Sequence, residues 1–343
     1  MKNGLIILLI ATLFLVLLIF VLSDSPLQAM FYFFIGPFRN IYNFGNMLNS
    51  SVPFIFGALG IIIAMKSGSL NLGGEGQVYL GAFITTACAL SLSALGAFGA
   101  ILAVIAGTLC AGLLSGISGL CKAKWNANEL ITTFLLSCAV IPIINYLVQV
   151  PFLDPETSLI STKKIAQNMR LPFILKPSSL NLSFIFALVF VFIINFFLGK
   201  TRMGYEFRMA GFNEMFARYG GINTKTNTII AMTMSGALYG FAGSAAVLGT
   251  HHAVIKEFSA GLGWSGLTVA LFACFSPAAV IPCALFLAWI NTGARFAMYN
   301  TGLTYEIVNM VQAVIFVLSA SILLKDKLQN LDFKKKFKSK RAA

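Results

Sequence analysis

The chain has 343 residues, of which 58% are hydrophobic and only 10% charged, and its formal net charge is +13. Ordinary globular chains hold about 45–50% apolar and about 25% charged residues, so a soluble fold lacks the charged surface to cover this much apolar bulk. The basic residues lie between long apolar runs and at the C-terminal end, which is how membrane topology is set and not how a nucleic-acid surface is built; no nucleic acid is expected as a partner.

In chain order, residues 4–22 contain no charge and follow Lys2. They exceed the apolar core of a cleavable signal, about 7–15 residues, and no A-x-A-like site follows, so a retained first span is expected. A helix needs about 20 residues to cross a bilayer core of about 30 Å. Further spans are expected near 45–65, 77–95, 97–120, 129–150, 181–199, 227–249, 262–276, 278–297 and 307–324, with a short eighth span breaking at Ser276-Pro277. The expected fold is an all-α polytopic bundle of about ten transmembrane helices. Residues 1–324 form the membrane domain and 325–343 a basic cytoplasmic tail. Residues 151–180 form its largest polar loop.

With the N-terminus inside, seventeen of the 24 Lys and Arg residues fall on the cytoplasmic side, as the positive-inside rule requires. An even number of spans then puts both termini in the cytoplasm. The six cysteines form no CxxC pair and lie in or beside apolar segments, where cysteine acts as a small hydrophobe; no disulfide framework, metal site or cofactor is expected.

Two segments do not read as lipid-facing helix. Residues 66–77, KSGSLNLGGEGQ, place four glycines, Asn71, Glu75 and Gln77 between two apolar spans. Glycine disfavours helix, and irregular backbone at membrane depth is tolerated only when buried in protein or lining a wet cavity. An intramembrane carboxylate is expensive and often functional, so Asn71, Glu75 and Gln77 are candidate pathway residues for a polar, uncharged substrate. A short cytoplasmic turn with a solvated Glu75 is the alternative. Residues 200–225 carry both signs of charge and helically spaced Met203, Phe207, Ala210, Met215 and Tyr219. An amphipathic helix here could rest on lipid headgroups or dock into a partner's groove.

Gly199-Lys200-Thr201 ends like a phosphate loop, but Ile194 stands where its first glycine is required, so it is no nucleotide site. No HExxH, GxSxG or paired aspartates occur in the spans, which argues against an intramembrane enzyme. His251-His252 lack further ligands for a metal and fit an exposed outer loop.

At the two polar segments the chain resembles a known family. NLGGEGQVYLGAF (residues 71–83) is similar to the N-[IL]-G-x-E-G-Q signature of ABC-transporter permeases for nucleosides and simple sugars. Within residues 202–223, Gly204, Arg208, Gly211, Asn213, Ala217 and Gly221-Ile222 match that family's cytoplasmic segment, while Met209, Glu214 and Phe216 depart from it. The stretch beginning GLGWSGLTVALF resembles a third family pattern, with Ser276-Pro277 in place of asparagine-proline. The resemblance covers most of residues 45–320 and is nearest to the nucleoside branch, whose relatives serve ribose, riboflavin and branched-chain amino acids.

The resemblance implies a type II importer in the bacterial inner membrane. A second permease subunit, usually a different chain, would complete the pathway. A separate ATPase subunit would drive transport, and an extracytoplasmic lipoprotein would deliver substrate. Residues 203–221 would be the coupling helix, with Gly204, Glu206, Arg208, Gly211, Asn213, Glu214, Ala217 and Gly221 as the coupling set. The rival expectation is an ion-coupled secondary transporter built around an intramembrane ionisable residue.

Overall fold

The computed structural model describes residues 2–259 and 261–321; the basic tail expected at 325–343 lies outside the described residues. Every regular element among them is helical. In chain order these are α1 (Lys2–Leu22), α2 (Pro26–Ile35), α3 (Ile41–Lys66), α4 (Gly74–Ser91), α5 (Gly96–Trp125), α6 (Glu129–Gln149), α7 (Ser183–Lys200), α8 (Arg202–Phe212), α9 (Glu214–Tyr219), α10 (Thr224–Ala246), α11 (Leu262–Phe272), α12 (Val280–Thr301) and α13 (Ile307–Ser321). A π-helical turn, Val247–His251, extends α10.

Six helices are long and apolar enough to cross a membrane: α3, α5, α6, α7, α10 and α12, some with their flanking turns. Leu9–Leu22, α11 and α13 are shorter apolar helices. Six of the ten spans expected from sequence meet that length and apolarity among the described residues, and four do not. The physical reasons differ by helix. α4 carries Gln77, Thr85, Thr86 and three glycines among its buried residues, which lowers its apolarity although it is central to the bundle. α11 has only 11 residues, about 16 Å of helix at 1.5 Å per residue. α2 was not anticipated; Pro26 at its first position favours helix entry, and Phe33 and Phe34 pack it on Trp289 of α12.

Burial sorts the bundle into centre and rim. The apolar window of α3 is 83% buried, whereas those of α6 and α7 are 22% and 28% buried. α3, α4 and α10 therefore form the middle, and α5, α6 and α7 present most of their side chains outward. The middle is packed through small residues, since apolar lipid tails supply no hydrophobic drive between helices and close backbone approach must do the work. Gly81 of α4 sits on the Gly240 backbone of α10, and Gly243 of α10 sits on the Val78 carbonyl of α4. Beside them the Thr85 and Ser244 hydroxyls bond at 2.7 Å.

The 151–182 connection is a cap, not a free loop. Thr162 N donates to Val254 O at 2.9 Å, Ile165 N to His252 O at 2.8 Å, and Leu171 N to Leu248 O at 3.0 Å. These bonds fasten it over the C-terminal end of α10.

A methyl group at Gly243 would fall on backbone and cannot be relieved by a rotamer change. Gly243→Ala is expected to destabilise the protein by about 1–3 kcal/mol, read as a lowered thermal midpoint in detergent. Gly199→Ala, in a helix and with open space around the position, is expected to raise stability by up to about 1 kcal/mol.

Candidate functional site

Residues 67–73 run back into the bundle instead of turning at its surface. Gly68, at φ 78°, reverses the chain after α3. Asn71 then sits fully buried and is bonded on all sides: its amide donates to Gln77 Oε1 (2.8 Å), Ser235 Oγ (3.0 Å) and Ser115 Oγ (3.2 Å). Its oxygen accepts from Gln77 Nε2 at 2.9 Å and Gly73 N at 3.0 Å. Ser235 lies eleven residues from the start of α10 and Ser115 ten residues from the end of α5. At 1.5 Å per residue both are about 15 Å inside the bundle, half of a hydrocarbon core of about 30 Å.

The strap continues to bond as it enters α4. Leu72 N donates to Thr133 Oγ1 (3.1 Å) and Gly76 N to Ser137 Oγ (2.7 Å), both on α6. Leu72, Gly73 and Gly76 thereby find side-chain partners for their backbone N–H groups, as backbone at this depth requires. Glu75 faces the other way. Its Oε1 accepts from Gly263 N at 2.8 Å and Trp264 N at 3.4 Å, and so caps α11, whose first residues follow Gly261 at φ 85°. Gly263 and Gly74 meet backbone to backbone. Two helices, α4 and α11, thus begin side by side in the interior.

A cavity of about 930 Å³ lies at the end of the bundle remote from α8 and α9. Its floor is the first turn of α11, through Gly261, Leu262 and Ser265. One wall is an amide ladder: Asn46 Oδ1 accepts from Ser179 N (2.8 Å) and Ser179 Oγ (2.7 Å). Asn49 donates to Thr250 Oγ1 (2.9 Å) and accepts from Asn181 Nδ2 (3.0 Å). Across from it the Tyr305 hydroxyl donates to Asn291 Oδ1 at 2.7 Å, and the Arg295 guanidinium lies 5.9 Å from the Tyr305 ring centre. Tyr42, Phe54, Phe173 and Phe258 add aromatic faces, and His251 also lines the space. Such a mixture of flat rings and fixed amides suits a planar, uncharged, polar molecule.

At the opposite end α8 and α9 form a bent amphipathic pair. Thr201 caps α8 by accepting from Gly204 N (3.1 Å), and Asn213 caps α9 by accepting from Phe216 N (3.1 Å). Phe207 and Ala217 are buried. Gly204 seats α8 on the Phe197 carbonyl, and Gly211 seats its end on Lys66–Gly68, the root of the strap. Glu206 accepts from Asn227 Nδ2 at 3.3 Å, while Glu214 pairs with Arg218 at 2.5 Å, and Arg218 also donates to Thr224 Oγ1 at 3.0 Å. Gly221, at φ 79°, turns the chain into α10. What remains outward is apolar: Phe212 and Tyr219 are 85% and 87% exposed. Arg208 is exposed beside them.

The sequence-predicted residues therefore separate by place. Asn71 and Gln77 join within one buried polar knot and do not line the large cavity; Glu75 reaches only the helix that floors it. The eight residues of the 200–225 segment do come together, Gly204, Ala217 and Glu206 turned toward the bundle and Arg208 away from it. Sequence reading missed the cavity wall. Asn43, Asn46 and Asn49 recur every third residue in an otherwise apolar span, a polar helix face that could have been read. Arg295 belongs to no motif that would set it apart from the other basic residues of the chain.

Residues 43–320 match a family profile described as "Branched-chain amino acid transport system / permease component". Among curated relatives, the chain is 33% identical to the "Probable riboflavin import permease protein RfuC" of Treponema pallidum (strain Nichols), over 86% of this chain and 79% of the relative. It is 30% identical to the "Guanosine ABC transporter permease protein NupP" of Bacillus subtilis (strain 168), over 83% of each chain. It is 28% identical to the "Nucleoside ABC transporter permease protein NupB" of Lactococcus lactis subsp. cremoris (strain MG1363), over 85% of this chain and 83% of the relative. No solved structure gives a significant match. A multi-pass helical bundle, matched along most of its length by importer permeases, belongs to the branched-chain amino acid transport system / permease component family and is the membrane permease subunit of an ABC importer.

Proposed function

We propose that this permease imports a nucleoside, or a closely related flat heterocycle bearing a sugar-like chain, through the cavity above α11. The observation that carries this reading is the cavity's pairing of aromatic faces with fixed amides. The names of the relatives point the same way: guanosine, nucleosides and riboflavin each join a planar ring system to a ribose or ribityl chain. Riboflavin is the second reading, favoured by the 33% identical relative. Uptake by reconstituted vesicles, with unlabelled guanosine, riboflavin and ribose as competitors, separates the two. Competition by ribose alone would contradict both.

In this account the chain lies in the bacterial inner membrane with both termini cytoplasmic. Ten passes are made by α1, α3 to α7 and α10 to α13, with α2, α8 and α9 outside the core. Residues 1–324 are the permease domain and 325–343 a basic tail that serves as a cytoplasmic stop signal. The chain has no nucleotide site of its own. A separate ATPase subunit docks on α8 and α9, a second permease completes the pathway, and a lipoprotein delivers substrate to the cavity end.

The coupling set divides by role. Gly204, Gly211, Asn213, Ala217 and Gly221 give the segment its shape, while Glu206 and Glu214 tie it to α10. Arg208, Phe212, Met215, Phe216 and Tyr219 form the surface presented to the ATPase. Movement of α8 reaches the strap through the Gly211 contact with Lys66–Gly68. It then passes through the Asn71 knot and the Glu75 cap to α11, the floor of the cavity. ATP binding acts by favouring one packing of these parts over another. Asn71 and Gln77 serve as braces of the pathway and not as its lining.

Exposed Phe212 and Tyr219 can be changed with little effect on folding. A Phe212→Ser, Tyr219→Ser double variant is expected to bind the ATPase at least about thirtyfold more weakly with its thermal midpoint unchanged; normal substrate-stimulated ATP hydrolysis would contradict the docking assignment. Glu75→Gln retains an acceptor for Gly263 N and Trp264 N, so near-native uptake and stability are expected. Glu75→Ala should cost about 1–2 kcal/mol. Asn71→Ala leaves several buried groups without partners, at about 1–3 kcal/mol each, and should give the lowest thermal midpoint of the three.

A further inference from the structure

We propose that Arg295 is the charge-selecting residue of the cavity: it repels cationic solutes and holds the acceptor-bearing edge of a neutral or anionic planar heterocycle. The inference rests on the reading of the cavity as the substrate-holding part of the pathway.

The cavity is one-sided in charge. Lys176, His251 and Arg295 line it, and no aspartate or glutamate among the described residues does. The ion pairs among the described residues, Lys122–Glu129, Arg202–Glu206 and Arg218–Glu214, all lie toward the α8–α9 end. Arg295, exposed at the cavity, therefore brings its charge there without an ion-pair partner among the described residues.

Its guanidinium also lies beside an aromatic ring that is held in place. The guanidinium lies 5.9 Å from the Tyr305 ring centre, and the ring is itself held by the 2.7 Å bond from its hydroxyl to Asn291. Asn291 is anchored in turn by donating to Leu287 O at 2.9 Å. A guanidinium resting on an aromatic face keeps its in-plane N–H donors available, here for a ligand edge rich in acceptors. Asn46 offers the complementary contact: its oxygen is occupied by Ser179, at 2.7 and 2.8 Å, which leaves its amide N–H groups to donate. Charged Arg295 and neutral Asn46 thus both present donors to the space. A ligand with a positively charged ring meets repulsion from the first and gains nothing from the second. An acceptor edge is served by both.

The test uses two isomers, N6-methyladenosine, neutral at pH 7, and 1-methyladenosine, cationic at pH 7. Their equilibrium binding is measured on the detergent-solubilised permease–ATPase complex without lipoprotein, so that only the permease can discriminate. The native complex is expected to bind the neutral isomer at least about tenfold more tightly. Arg295→Gln should bring the ratio near one, and Arg295→Lys should keep most of it. Equal binding of the isomers by the native complex, binding of neither at millimolar concentration, or an unchanged ratio in Arg295→Gln would each overturn the proposal. The native measurement decides even where the glutamine variant does not assemble. Nucleoside uptake by the full complex is scored separately: uptake without charge discrimination defeats this inference alone, and absence of uptake of any heterocycle defeats the functional reading with it.

Discussion

The structure depends on one buried amide. Asn71 bonds Gln77, Ser115 and Ser235 with its nitrogen, joining the strap to α4, α5 and α10 at about half the membrane depth. Without it the Gly73 N–H and the buried polar groups of Gln77, Ser115 and Ser235 would each lose a partner, at about 1–3 kcal/mol per group left unpaired. With it, α4 can begin in the interior, Glu75 can stand there, and α11 can start beside it. The glycines around this point are required by contact: Gly73 is crowded by the Gln77 and Asn71 side chains, and Gly74 by the Tyr239 ring.

Two interrupted helices meeting at mid-depth give the bundle a joint that continuous helices would lack. On one side the joint is built on the strap, whose root supports Gly211 of α8. On the other it carries the first turn of α11, which floors the cavity. The links between are short hydrogen bonds and backbone contacts, which have two ends and little slack. Side chains alone would transmit less, because rotamers can absorb small shifts.

Much of this was legible in the sequence, for identifiable reasons. Residues 66–77 declared themselves irregular through glycine density, and Asn71, Glu75 and Gln77 declared themselves costly to bury. Sequence could not decide whether that polarity faced water, substrate or protein, since the partners Ser115, Ser235 and Gly263 are 44 to 188 residues away in the chain from those they bond. Residues 200–225 were legible as an amphipathic element because their period matches a helix and their charges fall outside the apolar face. The ten-span count was drawn from hydropathy alone, which cannot foresee that α4 exchanges apolarity for buried hydrogen bonds or that α11 stops after 11 residues. The cavity was not legible. It is assembled from the start of α3, the end of α10, α12 and the 173–179 part of the cap, and only folding brings Asn49, Asn181 and Tyr305 into its neighbourhood.

We propose that the α8–α9 segment and the cavity floor are coupled through the strap. Hydrogen–deuterium exchange on the assembled complex, with and without bound ATP, tests it directly. The account predicts that exchange changes together in residues 203–221, 66–77 and 261–267, and that Asn71→Ala confines the change to residues 203–221. A nucleotide-dependent change at 203–221 in the native complex, with 66–77 and 261–267 unaltered, would contradict it.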